Sequence, residues 1–484
     1  LWMMSYFFQD DWKVTPKLTA NLGFRYDFAT WPYEARDRNT NLDLATGQRF
    51  IPPGTSSAGF VNLPEFGRSL VKSDTNNFAP RVGLAYQFDS KTVIRAGVGR
   101  FFMLLERAGS EDQIVLNLPW IVNNVVDVGG STTTTANNMR LRTGFNLSLN
   151  PSAVTVTNVR LRAVNPDSVN PSVDQWNLGL QRVLPWDIVA TIDYIGTKGT
   201  HLSVLRNPNQ VRFNPNGTPS ATIPYPSLGP IELRDGMGNS IYHGMDLTVE
   251  KRFRQGLAFR AAYTWAKSID WTMEHLFSGG TGSFTQNAHD IKGDRRGPSD
   301  FDVRHRLIVA YNYELPAGRG RTYLSSGIAS HILGGWRVSG ITSMHTGRPL
   351  TIIASGNSGT LSGARGGGLV TAKADCLRPA AKIGSVDQWF ETAAFAVPTP
   401  ARLGTCGRNT LYGPGLVNFD LSLARNFDYF GEGRSLEFRW ETFNMFNTPY
   451  FGLPDRNRSS GSFMRIGNLS GDPRVMQFAF KFYF

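Results

Sequence analysis

The last eleven residues constrain the fold of this chain more than any other stretch. They read Arg-Val-Met-Gln-Phe-Ala-Phe-Lys-Phe-Tyr-Phe, and the large apolar side chains alternate with other residues. The alternating residues are Met476, Phe478, Phe480, Phe482 and Phe484. A period of two indicates an extended strand with one apolar face. Since about 9–11 tilted strand residues cross the hydrocarbon core of a bilayer, this segment predicts a membrane-spanning strand that ends the fold. A strand of a soluble two-sheet sandwich is the alternative.

The same alternation recurs along the whole chain, for example over 18–28, 82–88 and 436–440. Counting such segments predicts about thirteen strands. They are 4–13, 17–28, 79–88, 91–102, 173–183, 187–197, 241–253, 256–267, 303–315, 333–345, 416–427, 434–446 and 474–484. With 50 glycines and 27 prolines and no apolar run of membrane-helix length, the composition also favours many strands joined by turns.

The predicted connections alternate between short and long. Tight turns fall near 15–16, 89–90, 184–186, 254–255 and 428–433, and long connections occupy 29–78, 103–172, 198–240, 268–302, 346–415 and 447–473. Short periplasmic turns alternating with long extracellular loops are typical of outer-membrane barrels. The connection 316–332 is rather long for a periplasmic turn. The strand-like segment 153–161 would break the alternation, so we assign it to a loop.

Charged residues within the predicted strands lie mostly opposite the aromatic residues. An Arg or Lys that faces lipid at mid-depth costs roughly 2–4 kcal/mol, whereas a wet barrel interior tolerates it. The pattern therefore predicts an all-β, antiparallel transmembrane β-barrel with its apolar face in lipid. It also predicts that Arg260, Glu437, Arg439 and Glu441 face the lumen, where they either line a solute path or are merely tolerated.

No catalytic motif stands out in the sequence, which contains neither a P-loop nor a His-Glu-x-x-His segment. We therefore expect no enzyme, no catalytic residue, no cofactor and no metal site. The net charge of +12 comes from scattered basic residues with interleaved acids, which argues against a nucleic-acid partner and fits lipopolysaccharide or a cationic lumen better. Cys376 and Cys406 could form a disulfide in an extracytoplasmic compartment.

Three loop features each have two interpretations. The polar cluster from His289 to His305 either binds a cation or an acidic ligand, or forms salt bridges at a strand entrance, which we favour. The stretch Gly356 to Gly368 lacks the Lys-Ser/Thr of a phosphate-binding loop and predicts a mobile surface loop. The loop tryptophans Trp271 and Trp389 either contact a substrate or pack within the loops.

Several ordered blocks resemble one family, the TonB-dependent receptors of the Oar-like group. These blocks are 5–13 (SYFFQDDWK), 175–181 (QWNLGLQ), 194–201 (YIGTKGTH), 300–306 (DFDVRHR), 335–341 (GWRVSGI), 413–422 (GPGLVNFDLS) and 438–447. The resemblance implies a regulatory-like β-domain, a plug domain and a TonB box, none of which is in this chain. Residues 1–484 are thus expected to be the C-terminal portion of a barrel of the 22-stranded type, with the early strands missing.

The resemblance implies an outer-membrane receptor in a Gram-negative bacterium, whose extracellular loops capture an unknown ligand that then moves through a plug-gated barrel. The expected partners are outer-membrane lipid and lipopolysaccharide, the TonB complex through the missing N-terminal part, and the barrel assembly machinery, which would read Phe484. A passive porin-like channel and an adhesion or assembly barrel without solute transport remain the alternatives.

Overall fold

The computed structural model describes residues 2–104, 114–121, 159–271, 284–318, 321–363, 369–427 and 434–484. Thirteen long strands dominate these residues. They are β1 (Met3–Thr15), β2 (Leu18–Ala29), β3 (Phe78–Gln87), β4 (Thr92–Phe102), β5 (Ser172–Leu184), β6 (Ile188–Arg206), β7 (Ile231–Arg254), β8 (Leu257–Asp270), β9 (His305–Glu314), β10 (Trp336–His345), β11 (Leu416–Phe427), β12 (Ser435–Phe443) and β13 (Val475–Tyr483).

The long strands form one antiparallel sheet in chain order, from β1 to β13. Two short strands, Leu161–Val164 and Gly297–Pro298, pair with β7 and β8 and complete its fifteen members. The predicted all-β, antiparallel fold is thus confirmed. Within the described ranges, β1 and β13 end the order and no ladder joins them.

The remaining elements are short and lie in the connections. The helices are α1 (Ile291–Arg295), α2 (Ile328–Leu333) and α3 (Ser358–Ser362), with 3-10 turns at Pro64–Phe66, Pro185–Asp187, Ser355–Asn357 and Thr392–Ala394. The small strands are Asn41–Leu42, Arg49–Ile51, Val61–Asn62, Pro349–Leu350, Asp375–Cys376, Phe395–Ala396 and Leu411–Tyr412. Among the described residues, none of the helices has the length and apolarity that a membrane-spanning helix needs.

The strand register sorts the side chains of the sheet onto two faces of opposite character, because ladder partners point to the same side. Leu247 of β7 lies opposite Ile192 and Tyr263, whereas its neighbour Thr248 lies opposite Thr191. The side that carries Leu247 is called the apolar face, and the side that carries Thr248 is called the polar face.

The apolar face is open to its surroundings along the whole sheet. The exposed fractions are 46% for Phe24, 56% for Leu178 and 67% for Phe478, in β2, β5 and β13. Soluble proteins rarely leave a contiguous apolar surface of this extent in water. A face of this kind is suited to contact with lipid.

The long connections pack into a layer at one end of the sheet. We call the described parts of 30–77, 103–171, 207–230, 271–304, 346–415 and 444–474 the loop layer. It has hydrophobic clusters of its own, and the largest joins residues of 350–406 to Phe463, Met464 and Ile466. Fully buried side chains such as Phe50, Leu42 and Leu361 belong to this layer and not to the sheet. The loop layer is therefore a folded structure with its own cores.

Several predicted bounds differ from the structure. The connection expected at 198–240 is shorter, because β6 continues to Arg206 and β7 begins at Ile231. Register shifts on both sides of Leu202 interrupt the period of two there, so the alternation could not reveal the extension. The strand expected from residue 333 begins at Trp336, after α2.

Three further predictions fall wholly or partly outside the described residues. The turn 428–433 and most of the strand-like segment 153–161 lie outside them, although Leu161 begins a short strand in the loop layer. The stretch 356–368 is described only as far as residue 363. There α3 forms and Leu361 is fully buried, so this part is a short helix with a buried anchor, and its expected mobility stays a prediction.

Candidate functional site: the polar face and the loop layer

The four side chains predicted to face the lumen all lie on the polar face. Arg260 is opposite Glu250 in β7 and Ala310 in β9, and the ladders carry the same face from β9 through β10 and β11 to β12. There it holds Glu437, Arg439 and Glu441, which are spaced two residues apart along one strand.

Three of these four residues form one charged cluster. The Arg439 guanidinium lies 2.7 Å from Glu437 and 3.5 Å from Glu441. Arg337 of β10 reaches across β11 to Glu437, with an Nη2–Oε2 distance of 3.2 Å. In β11, which lies between β10 and β12, Ala424 is opposite both Arg337 and Arg439. Its small side chain leaves room for Arg337 to reach Glu437. Glu437 is buried, and two cations offset the cost of its desolvation.

Arg260 is separate from this cluster. It is exposed and lies four strands away from β12, a separation of roughly 19 Å along the sheet. The structure thus brings together Glu437, Arg439 and Glu441 but not Arg260. It adds Arg337, which the sequence analysis missed even though its alternation with Trp336 and Val338 could have identified it.

The predicted C-terminal strand pairs with β12 over its whole length. Phe478 lies opposite Trp440 and Phe480 lies opposite Phe438, with the Phe438 and Phe480 ring centroids 5.2 Å apart. Met476, Phe478, Phe480 and Phe482 are on the apolar face and stay exposed, and Phe484 follows the strand with an exposed fraction of 96%. Aromatic stacking between strands stabilises this edge of the sheet, while its outer surface remains available to lipid.

Cys376 and Cys406 are joined by a disulfide bond in the largest core of the loop layer. The bond closes a segment of the 346–415 connection, with a sequence separation of 30 residues. Trp389 is buried in the same core and donates its indole N–H to the Tyr412 carbonyl at 3.2 Å. This tryptophan therefore packs within the loops. Trp271 is half-buried and donates to the Met237 carbonyl at 3.1 Å.

The polar cluster near α1 contains several buried ion pairs. The Arg408 guanidinium binds the Asp270 carboxylate and lies 3.6 Å from Asp300. Lys373 lies 2.9 Å from Asp294 in the same region. Further along the connection, Lys267 lies 2.7 Å from Asp302. These contacts support the salt-bridge interpretation, because Asp294, Asp300 and Asp302 already have cationic partners.

Burial perturbs two groups of this region. Desolvation lowers the pKa of the Arg295 guanidinium to about 10. Burial also lowers the pKa of His289, whose ring nitrogen Nε2 donates to the Gln210 carbonyl at 3.0 Å. Within the described ranges, no group of three His, Cys, Asp or Glu side chains could hold a metal ion.

Buried amide side chains connect the separate loops. Gln210 is fully buried, donates to the carbonyls of Gln286 and Leu361, and accepts from the Ala288 N–H. Gln286 in turn accepts from the backbone N–H groups of Lys373 and Gly404. These residues could not be identified from the sequence, since an isolated amide in a polar loop has no periodic signal.

A family model described as "Outer membrane beta barrel domain" matches residues 1–477. No sequence relative was found among curated proteins. The fold is similar to that of the outer membrane transporter YddB from Escherichia coli, with 10% identity, a TM-score of 0.48, and coverage of 99% of this chain and 44% of that one.

Two other solved structures show a comparable likeness. For the ferripyoverdine receptor of Pseudomonas aeruginosa bound to ferripyoverdine, the identity is 10%, the TM-score 0.46, and the coverage 100% of this chain and 38% of that one. For the ferric-catecholate import receptor Fiu from Escherichia coli K12, the identity is 12% and the TM-score is 0.43. The alignment covers 100% of this chain and 44% of that one. The chain thus spans about two fifths of each of these solved proteins.

Proposed function

The chain belongs to the outer membrane β-barrel domain family, and from this membership we propose that it forms the barrel wall and the ligand-binding loops of a TonB-dependent receptor of the Oar-like group. Its location is the outer membrane of a Gram-negative bacterium. In the proposed function, the loop layer captures a ligand outside the cell and the polar face lines the path by which that ligand enters. The reaction is gated transport, without covalent chemistry.

One observation carries this proposal: a two-faced sheet bears a densely packed loop layer at one end. Loops that merely connect strands need no cores of their own, yet these bury residues such as Phe50, Leu361 and Met464 completely. An ordered surface of this kind binds a ligand at a lower entropic cost than flexible loops would. The small and polar side chains of the polar face suit a wet interior.

The proposed transport cycle depends on parts that lie outside this chain. Residues 1–484 would supply the C-terminal portion of the barrel, and a plug with a TonB box would close the lumen. TonB would then rearrange the plug and let the ligand pass along the polar face. The charged cluster around Glu437 would contact the plug or the solute there.

Other expected partners follow from the same location. The apolar face would contact outer-membrane lipid and lipopolysaccharide, and the barrel assembly machinery would recognise the C-terminal strand. A passive porin-like channel and an adhesion or assembly barrel are the competing functions, and they differ from the receptor in the absence of a plug or of energised uptake.

Peptide mapping by mass spectrometry of the native protein from purified outer membranes tests the proposal. We expect peptides upstream of Leu1 that contain a plug and a TonB box, and we expect the intact protein to bind the purified periplasmic domain of TonB. A native chain that starts near Leu1 and does not bind TonB would contradict the receptor function and favour a channel or an adhesion barrel.

A further inference from the structure

A groove crosses the polar face over β1 to β5, near the end of the sheet that carries the loop layer. Its volume is about 600 Å³, which is within the usual range for small-molecule sites. The groove is deep there because glycines, which have no side chain, occupy neighbouring ladder positions. Gly83 lies opposite Gly97, and Gly99 lies opposite Arg81. An added Cβ at Gly99 would lie 3.2 Å from the Arg81 side chain, so the arginine rests directly on this floor.

Arg81 differs from the neighbouring arginines in its contacts. Its guanidinium lies 4.6 Å from the centroid of the Phe101 ring, which holds the planar group in one orientation. Among the described residues, neither an ion pair nor a side-chain hydrogen bond to a protein acceptor engages it. Its N–H groups are therefore available to a bound molecule.

Neighbouring arginines of the same strands are already engaged. Arg25 lies 2.8 Å from Asp27, Arg95 donates to Gln181 at 2.7 Å, and Arg100 lies 2.7 Å from Asp174. Arg25 and Arg100 are thus paired with carboxylates and Arg95 with an amide, whereas Arg81 has no ion-pair partner among the described residues.

The rest of the groove lining is mostly apolar, and amide side chains are its main polar groups. It includes the amide side chains of Gln9, Asn21, Gln175 and Asn177, and it contains no Asp or Glu. Amides hydrogen-bond to hydroxyl and carbonyl groups alike. The aromatic rings of Phe7 and Phe101 provide flat surfaces at the two sides.

From this arrangement we propose that the groove is a binding subsite for a solute with a carboxylate group and a hydroxyl-rich body, such as a sugar acid. The Arg81 guanidinium presents parallel N–H donors that match the two oxygens of a planar carboxylate. The amides of Gln9, Gln175 and Asn177 bind the hydroxyl groups of the solute, whereas Asn21 already donates to the Asp11 carboxylate. This inference rests on the proposed function, in which the polar face lines the path of the ligand.

Arginine modification in the purified full-length protein tests the subsite directly. Phenylglyoxal is applied with glucuronate or with uncharged methyl glucoside, and the modification of Arg81 is followed by peptide mass spectrometry. At a glucuronate concentration about twice its Kd, occupancy should slow the modification of Arg81 about threefold. Methyl glucoside should have little effect, and Arg260, on the same face but outside the groove, should react equally with both.

Equal modification rates with glucuronate and methyl glucoside would overturn the subsite, as would equal protection of Arg260. Saturation-transfer NMR with glucuronate provides a second readout. The signal should be lost in Arg81→Gln and weakened in Arg81→Lys, because lysine lacks the planar pair of donors. It should persist in Arg321→Gln, which removes a charge far from the groove.

These measurements require neither TonB nor an energised membrane. Loss of the proposed TonB binding would leave the protection of Arg81 unchanged, whereas loss of the protection alone would reject the subsite and leave the receptor function intact. The two proposals can therefore fail separately.

Discussion

At the scale of single residues, Glu437 on the polar face has partners in its own strand and in another strand. Glu437 is the central acid of its cluster, since both Arg337 and Arg439 contact it. The strand parity predicted from the sequence placed Glu437, Arg439 and Glu441 on one face. It could not predict the contact with Arg337, because strand order and register decide which residues meet across two ladders.

Replacing Glu437 with Gln should destabilise the protein, because two arginines lose their shared carboxylate. We expect the free energy of unfolding to fall by about 1–3 kcal/mol. Glu441→Gln is the matched control and should cost less than about 1 kcal/mol, since Glu441 is more exposed and its pair with Arg439 is longer. Urea unfolding in lipid vesicles, followed by tryptophan fluorescence, measures both variants. Equal losses would contradict the central role of Glu437.

His289 should make the loop layer sensitive to acid. Burial lowers the pKa of His289 in the folded protein, so below the ordinary value of about 6.5 the unfolded segment binds a proton that the folded one resists. The stability of this region should therefore decrease as the pH falls through 6.5 toward the folded pKa. Hydrogen exchange of residues 284–295 at pH 7.5 and 5.5, corrected for intrinsic rates, measures the change. His289→Gln should remove the pH dependence, and an unchanged dependence in that variant would refute the assignment.

At the scale of elements, the strands could be predicted from the sequence and the structure of the loops could not. The C-terminal strand was predicted from its alternation, and the structure places it at the edge of the sheet with its phenylalanines exposed. The loop layer was not predicted in any detail. Its elements are short, and buried amides and ion pairs hold them together, neither of which gives a period in the sequence.

Deleting Phe484 should lower the amount of protein that reaches the outer membrane, if the assembly machinery reads the terminal aromatic. The residue makes only a few contacts in the fold, with its ring 6.0 Å from that of Phe482, so little stability should be lost. Quantitative immunoblots of outer-membrane fractions measure the yield. Phe446→Ala removes an exposed loop aromatic as a control and should insert normally. Normal insertion of the deletion variant would contradict the role of Phe484 as an assembly signal.

The disulfide between Cys376 and Cys406 should stabilise the loop layer and leave the sheet unaffected. Closing a loop of this length contributes about 2–4 kcal/mol. Reduction should therefore accelerate hydrogen exchange in the segment 374–406 while the strands keep their protection. A thiol-reactive probe should label neither cysteine before reduction. Full labelling of the native protein would rule out the bond in the membrane.

At the scale of the whole molecule, the alternation predicted about thirteen strands, and the described residues form thirteen long ones in chain order. The alternation of short and long connections likewise predicted which end of the sheet would carry the loops. The groove at Arg81 could not be predicted, since it depends on glycines of β2, β3 and β4 that meet only through the register of the sheet.

The two faces of the sheet are assigned one to lipid and one to the lumen, and a membrane barrel requires this assignment. Adjacent residues of β7 test it: a fluorescent NBD label is attached to Leu247→Cys or Thr248→Cys in the full-length protein in vesicles. We expect nitroxide lipids to quench the label at 247 and aqueous iodide to quench the label at 248. The same quencher acting on both positions, or the reverse pattern, would contradict a membrane barrel with this lumen.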